Sequence, residues 1–264
     1  MKIILILLIS IILFADKPKL FLLNKYNKDI NISSWYMSEK LDGVRAYWDG
    51  MHLISRSGKI FIAPKFFTKE FPNHKLDGEL WSKRGDFSHI SSIVNTKNRP
   101  DRWKELTYNI FEVPEAKGDL LERLRVVKET KYIKIIKQIK VKNKEHLKQF
   151  LKEVESKAGE GVVVRDGSLD YYTGRDNNAL KVKSYVDEEC KVLKHNNGSG
   201  KYKSKLGSLS CLMKSGLVIK IGSGFNDAQR NNPPKINDII TFKYYGLTSK
   251  GKLRFPIFLR IRKE

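Results

Sequence analysis

Four Asp-Gly pairs, at positions 42–43, 49–50, 77–78 and 166–167, cut the first two-thirds of this chain into short apolar runs. Asp-Gly signals a turn because glycine accepts the positive φ that tight reversals require. A chain broken up in this way folds largely from short strands. Val44–Trp48, Asp49-Gly50 and His52–Ser55 read as a β-hairpin, and Asp77-Gly78 and Asp166-Gly167 as turns beside apolar runs. Tyr108–Val113 and Val162–Val164 read as buried strands. Tyr132–Val141 alternates lysine with Ile and Val, the pattern of a half-exposed strand. One helix stands out from Asn143 to Lys157, where Leu147, Phe150, Leu151 and Val154 recur at helical spacing and Gly159 can end it. Strands mixed with helices give an α+β pattern.

Near Asp187 the character changes. Five short runs follow, at Cys190–His195, Ser208–Lys214, Leu217–Ile221, Ile239–Tyr245 and Arg254–Arg262, and only Asp227–Asn231 looks helical. This predicts an α+β domain over residues 16–186 and a small all-β barrel over 187–264. The chain carries 51 Lys and Arg against 29 Asp and Glu, a net charge of +22. The C-terminal piece holds sixteen of the basic and six of the acidic residues. Such an excess favours a polyanionic partner, nucleic acid or an anionic membrane surface, and a basic barrel suits a nucleic-acid clamp.

The N-terminus has Met1-Lys2, an apolar run from Ile3 to Phe14, and Ala15. This is the layout of a secretory signal peptide over residues 1–15, and the run is too short to span a bilayer comfortably. The expected mature chain starts near Asp16 in a periplasmic or extracellular setting, with no membrane span left after cleavage. An oxidising compartment permits a disulfide between Cys190 and Cys211, but spacing does not decide whether they meet. No CxxC pair or Cys/His cluster has zinc spacing.

The sharpest chemical feature is Glu39-Lys40-Leu41-Asp42-Gly43-Val44-Arg45. A lysine is a nucleophile only when neutral, and a neighbouring cation such as Arg45 or a metal ion favours that form. Taken alone, the string reads equally well as the charged start of a hairpin. Other strings follow it in order: Ser55-Arg56-Ser57-Gly58, Asp77-Gly78-Glu79-Leu80, Tyr108-Asn109-Ile110-Phe111-Glu112, Glu160-Gly161-Val162-Val163-Val164-Arg165, Leu180-Lys181-Val182-Lys183, and Arg254-Phe255-Pro256 through Arg260-Ile261-Arg262. Together they resemble the motif series of the covalent nucleotidyltransferases, which comprise DNA ligases, RNA ligases and capping enzymes. The signal segment and Ile221–Ala228 resemble the minimal, exported bacterial type of ATP-dependent DNA ligase.

That resemblance implies an adenylylation domain followed by an OB-fold, ATP and Mg²⁺ (or Mn²⁺) as cofactors, and nicked duplex DNA as partner of a monomer. It implies Lys40 as the residue that takes AMP, with Glu39, Arg45, Glu79, Phe111, Lys181 and Lys183 around ATP and AMP. Phe111 would stack on adenine. Lys181 and Lys183, two apart on one strand face, would neutralise the α-phosphate. Glu79 and Glu160 are the expected metal ligands, being hard oxygen donors. Arg45, Arg56 and Arg175 are expected at the nick phosphate, since a planar guanidinium fork suits phosphate. Lys201 and Lys203, in the basic turn Asn196–Lys203, are expected on DNA, and Arg254 and Arg262 at pyrophosphate. Three alternatives stay open: an RNA ligase, a capping-type nucleotidyltransferase, and a non-catalytic basic DNA-binding protein.

Overall fold

A computed structural model describes residues 16–247 and 251–262. The expected signal segment, residues 1–15, lies outside the described residues. The chain divides into two compact units, residues 1–182 and 183–264.

The first unit holds strands β1 (Phe21–Lys25), β2 (Tyr36–Glu39), β3 (Val44–Trp48), β4 (Leu53–Ser55), β5 (Ile60–Phe61), β6 (Leu76–Trp81), β7 (Thr107–Glu112), β8 (Ile133–Ile135), β9 (Ile139–Lys140), β10 (Val162–Arg165) and β11 (Gly174–Val182). Its helices are α1 (Lys65–Thr68), α2 (Phe87–Asn95), α3 (Leu120–Arg125) and α4 (Lys144–Ser156). The strands form two sheets, ordered β5-β4-β3-β6-β7-β8 and β1-β11-β10-β2-β9. Each buries one face in its own core. Ala46, Trp48, Leu76, Leu80, Tyr108 and Ile110 pack with α2 and α3 in the first. Met37, Val162, Val164, Leu180 and Val182 pack with α4 in the second. Because side chains alternate along a strand, Arg45 of β3, Glu79 of β6 and Phe111 of β7 face away from the first core. Val163, Arg165 and Lys181 likewise face away from the second.

Two glycines make the tight approaches this requires. A Cβ on Gly43 would lie 2.3 Å from the Leu80 carbonyl, so β3 can enter beside β6 only without a side chain there. A Cβ on Gly78 would meet the Asn109 carbonyl at 2.7 Å. Asp77-Gly78 is therefore no turn. It lies inside β6, where glycine lets β7 come close at a register shift between the two residues. The Tyr132–Val141 segment also differs from expectation. It gives two short strands, β8 in one sheet and β9 in the other, because the chain crosses between sheets at 136–138. The Val44–Ser55 hairpin and the α4 helix follow the sequence reading, and Asn143 caps α4 by accepting from His146 N at 2.8 Å.

The second unit is one sheet, ordered β14-β13-β12-β15-β16, from β12 (Val186–Asn197), β13 (Leu206–Met213), β14 (Val218–Ile221), β15 (Ile239–Tyr244) and β16 (Ile257–Ile261), with the short helix α5 (Asp227–Asn231). The expected barrel is not closed by strand pairing. Among the described residues β14 and β16 meet through one isolated bridge, Ser223 to Ile257, because the chain leaves β14 at Gly222. Cys190 and Cys211 are free thiols in this unit's core.

The two sheets of the first unit are tied by a buried ion cluster. Glu112, at the end of β7, accepts from Arg123 at 2.8 and 2.9 Å and from Arg165 of β10 at 3.1 Å. All three residues are buried. Burial works against the Glu112 carboxylate, yet the two guanidinium groups outweigh it and hold its pKa below the ordinary value. Glu112→Gln would leave two buried cations short of a counter-charge, and a loss of about 3–5 kcal/mol is expected in denaturant unfolding. Because the folded-state pKa is depressed, this stability is present above the ordinary glutamate pKa and is lost as pH falls through the folded value. The wild type should show that acid-side loss, and Glu112→Gln should lack it.

Candidate active site

A cavity of about 290 Å³ opens between the two sheets of the first unit. Lys40 follows directly on β2, and its backbone N donates to Gly161 O at 2.9 Å, which fixes it beside β10. Its Nζ donates to Glu160 Oε2 at 2.7 Å. Burial alone would lower the Lys40 pKa. Glu160, Glu79 and Asp42 outweigh it, so the ammonium is held above the ordinary lysine value. Glu79, on β6 opposite Arg45 of β3, is pushed up to about 8, chiefly by burial. The site thus holds a lysine whose proton is kept chiefly by Glu160, beside a carboxyl whose burial favours its neutral form.

Arg45 is fixed on three sides. Its Nε and Nη2 donate to the two Asp77 oxygens at 3.0 and 2.6 Å, and its Nη1 donates to Phe21 O at 2.8 Å. Its guanidinium carbon lies 4.9 Å from the Phe21 ring centre and 5.2 Å from that of Phe111. The Phe111 carbonyl accepts from Arg165 Nη2. Phe111 therefore presents its ring to the cavity from a backbone anchored by the buried cluster.

The cavity lining brings together Glu39, Lys40, Arg45, Arg56, Glu79, Phe111, Arg175 and Lys181. Glu160 joins them through Lys40. Arg175 on β11 donates to Leu23 O of β1 at 2.6 Å, and Arg56 lies just beyond β4. Glu39 is gripped by Arg84 through two bonds of 2.7 Å. Lys183 lies past the end of β11 in the second unit, where it donates to Asp187 at 2.9 Å. Lys201, Lys203, Arg254 and Arg262 also belong to the second unit. Arg262 pairs there with Glu189 of β12, and Arg254 lies in the turn before β16.

Sequence reasoning missed Phe21, Asp77 as the partner of Arg45, and Arg84. Phe21 opens a strand that hairpin signals cannot reveal, because β1 pairs in parallel with a strand about 150 residues on. Arg84 belongs to none of the motif strings. Phe21 is the hub of this wall: its ring meets Phe111 edge-on at 5.7 Å and Tyr171 at 6.1 Å, besides the Arg45 contact. Phe21→Leu keeps apolar bulk but removes the aromatic contacts, each worth about 0.5–1.5 kcal/mol. It should lower the free energy of unfolding by about 1–3 kcal/mol, and an unchanged stability would make Phe21 a filler only.

Comparison with known proteins agrees with this geometry. Residues 22–183 match the ATP dependent DNA ligase domain, and residues 197–262 match the DNA ligase OB-like domain. A DNA ligase of Haemophilus influenzae is 45% identical over 256 residues, covering 95% of this chain and 94% of that protein. A solved structure from a structure–function study of Lig E DNA ligases is 36% identical, with a TM-score of 0.62 over 93% of this chain and 99% of the other. A Chlorella virus DNA ligase–adenylate is 24% identical, with a TM-score of 0.53 over 94% of this chain and 99% of that one, and shares the fold. A lysine paired with a carboxylate, beside an aromatic ring and several arginines, therefore stands in a chain that belongs to the ATP-dependent DNA ligases, within the nucleotidyltransferase superfamily.

Proposed function

We propose that this protein seals nicks in duplex DNA in three steps, with Lys40 as the group that carries AMP. The carrying observation is the Lys40 ammonium seated on Glu160 in a cavity walled by Phe111, Arg45 and Lys181. In the first step the neutral Lys40 amine attacks the α-phosphorus of ATP. A P–N bond forms, the α–β phosphoanhydride breaks, and pyrophosphate leaves. In the second, a 5′-phosphate oxygen of the nick attacks the same phosphorus, the P–N bond breaks, and a DNA-adenylate forms. In the third, the 3′-hydroxyl attacks the 5′-phosphate and AMP departs. Phe111 stacks on adenine and Arg45 faces the ribose. Lys181 neutralises charge on the α-phosphate as it becomes five-coordinate. Arg56 and Arg175, at the cavity edge, suit the nick 5′-phosphate.

The donor set near Lys40 fits Mg²⁺. Glu79 and Glu160 are hard oxygen ligands, and Mg²⁺ is normally held by one or two carboxylates with water and phosphate oxygens completing the shell. Among the described residues no three acidic, His or Cys side chains converge on one point, so a closed protein cage is not what this site offers. When bound, Mg²⁺ supplies positive charge beside these carboxylates, which removes what keeps the proton on Lys40 and polarises the α-phosphate.

The reading extends to a monomer that works outside the cytoplasm. Its support is the apolar run Ile3–Phe14 behind Lys2, and no helix among the described residues is long and apolar enough to cross a membrane. Incubation with ATP and Mg²⁺ should add the mass of one AMP to the wild type and none to Lys40→Ala, and sealing of nicked DNA should vanish in that variant. Labelling or sealing that survived would remove Lys40 from the mechanism. With a charge of +22, binding of nicked duplex should weaken steeply between 50 and 200 mM salt, by roughly 10³-fold if six phosphates are neutralised. A flat dependence would place the affinity elsewhere than in backbone charge.

A further inference from the structure

The stretch Gly222–Arg230 takes no part in the chemistry above, yet it makes an unusual number of fixed contacts. Gly224, at φ 92°, lies so close to β16 that a Cβ would fall 2.2 Å from the Phe258 carbonyl. Phe258 N donates to Ser223 O at 2.9 Å, and the Phe225 ring stacks on Phe258 at 4.5 Å. Asn226 and Gln229 form a reciprocal capping box that starts α5. From this anchored helix Arg230 reaches back, buried, to the start of β13 and to the Tyr202 ring of the turn before it. Its Nη1 donates to Leu206 O at 2.7 Å and to Gly207 O at 3.2 Å, and its Nη2 donates to Gly222 O at 2.9 Å. Its guanidinium carbon lies 4.1 Å from the Tyr202 ring centre.

The turn so gripped carries Lys201, Lys203 and Lys205. Gly198 N donates to Lys205 O at 2.9 Å across its base, and a short 3-10 turn, Gly200–Tyr202, forms its tip. Lys201 and Lys203 are exposed, and Lys201 Nζ lies 4.8 Å from the Tyr202 ring centre. Three lysines within five residues repel one another, and Ser204 holds a φ of 67° that few side chains favour. Backbone bonds from Tyr202 N to Ser199 O, Lys203 N to Gly200 O and Lys205 N to Tyr202 O shape the turn against that repulsion. Tyr202, with one cation against its ring from the turn and another from α5, joins the tip to the folded sheet.

We infer that Arg230 and Tyr202 are positioning residues for DNA: they preset the β12–β13 turn so that Lys201 and Lys203 meet the backbone of nicked duplex already ordered. This rests on the ligase reading for the identity of the polyanion. Ordering the turn in advance removes an entropy cost that binding would otherwise bear, so affinity rises without any direct contact from Arg230.

The test uses the full chain, a nicked duplex, and a pre-adenylated nick that bypasses ATP. Tyr202→Ala should raise the KM for nicked DNA by about tenfold with kcat within about twofold. The slope of log Kd against log salt should not change, because every cation is still present. Tyr202→Phe keeps the ring and should restore the wild-type KM. Arg230→Lys keeps the charge but not the planar grip on three carbonyls, and should follow Tyr202→Ala while melting cooperatively. The double variant Lys201→Ala/Lys203→Ala should instead flatten the salt slope by about two. A wild-type KM in Tyr202→Ala overturns the inference. So does a kcat loss with KM unmoved, which marks a merely structural role, and so does an unchanged slope in the double lysine variant, which removes the turn from DNA. The binding arm reads the turn whether or not sealing occurs. A wild type that binds nicked duplex but never seals it would count against the ligase reading and leave the turn's result standing.

Discussion

One buried carboxylate joins the two sheets on which the whole active site depends. Glu112 ends β7 of one sheet and takes the Arg165 guanidinium from β10 of the other, with Arg123 completing its charge. Neither cation could stay buried without it. The same Arg165 also donates to the Phe111 carbonyl, so the contact that fixes the sheets fixes the aromatic wall of the cavity. A cavity between two sheets stays open only if something other than apolar collapse sets their spacing. Here that is an ion cluster with directional bonds, which holds a distance where a greasy contact would close it.

The cavity lets one group of charges act on another. Lys40, Glu79, Arg45, Arg175 and Lys181 share its wall, and Glu160 pairs with Lys40. Lys40 is held as an ammonium chiefly by Glu160, which outweighs its burial, while the burial of Glu79 favours its neutral form.

The second unit works by shape and charge. Its sheet stays open, with one isolated bridge, Ser223 to Ile257, linking the segment after β14 to β16, and the same segment carries the helix whose Arg230 bonds the start of β13 beside the lysine-bearing turn.

Much of this was legible in the chain. The α4 helix, the first hairpin and the strand content of the C-terminal piece follow from local periodicity, which needs no partner to be read. The ordered strings around Lys40, Glu79, Phe111, Glu160 and Lys181 point to covalent nucleotidyl transfer through their resemblance to the motif series of that superfamily. Local reading failed where a distant partner decides. Asp77-Gly78 has turn chemistry but lies within β6, since the glycine answers to the close approach of β7. Phe21 carries no local signal because β1 pairs in parallel with β11, far along the chain. The sequence by itself thus determined the family, through its ordered motif strings, and the change of character that separates the two units. Only the tertiary structure decided which carboxylate each cation holds, which ring backs Arg45, and where Lys183 falls, because those outcomes depend on sheet register and burial, which no local run of residues encodes.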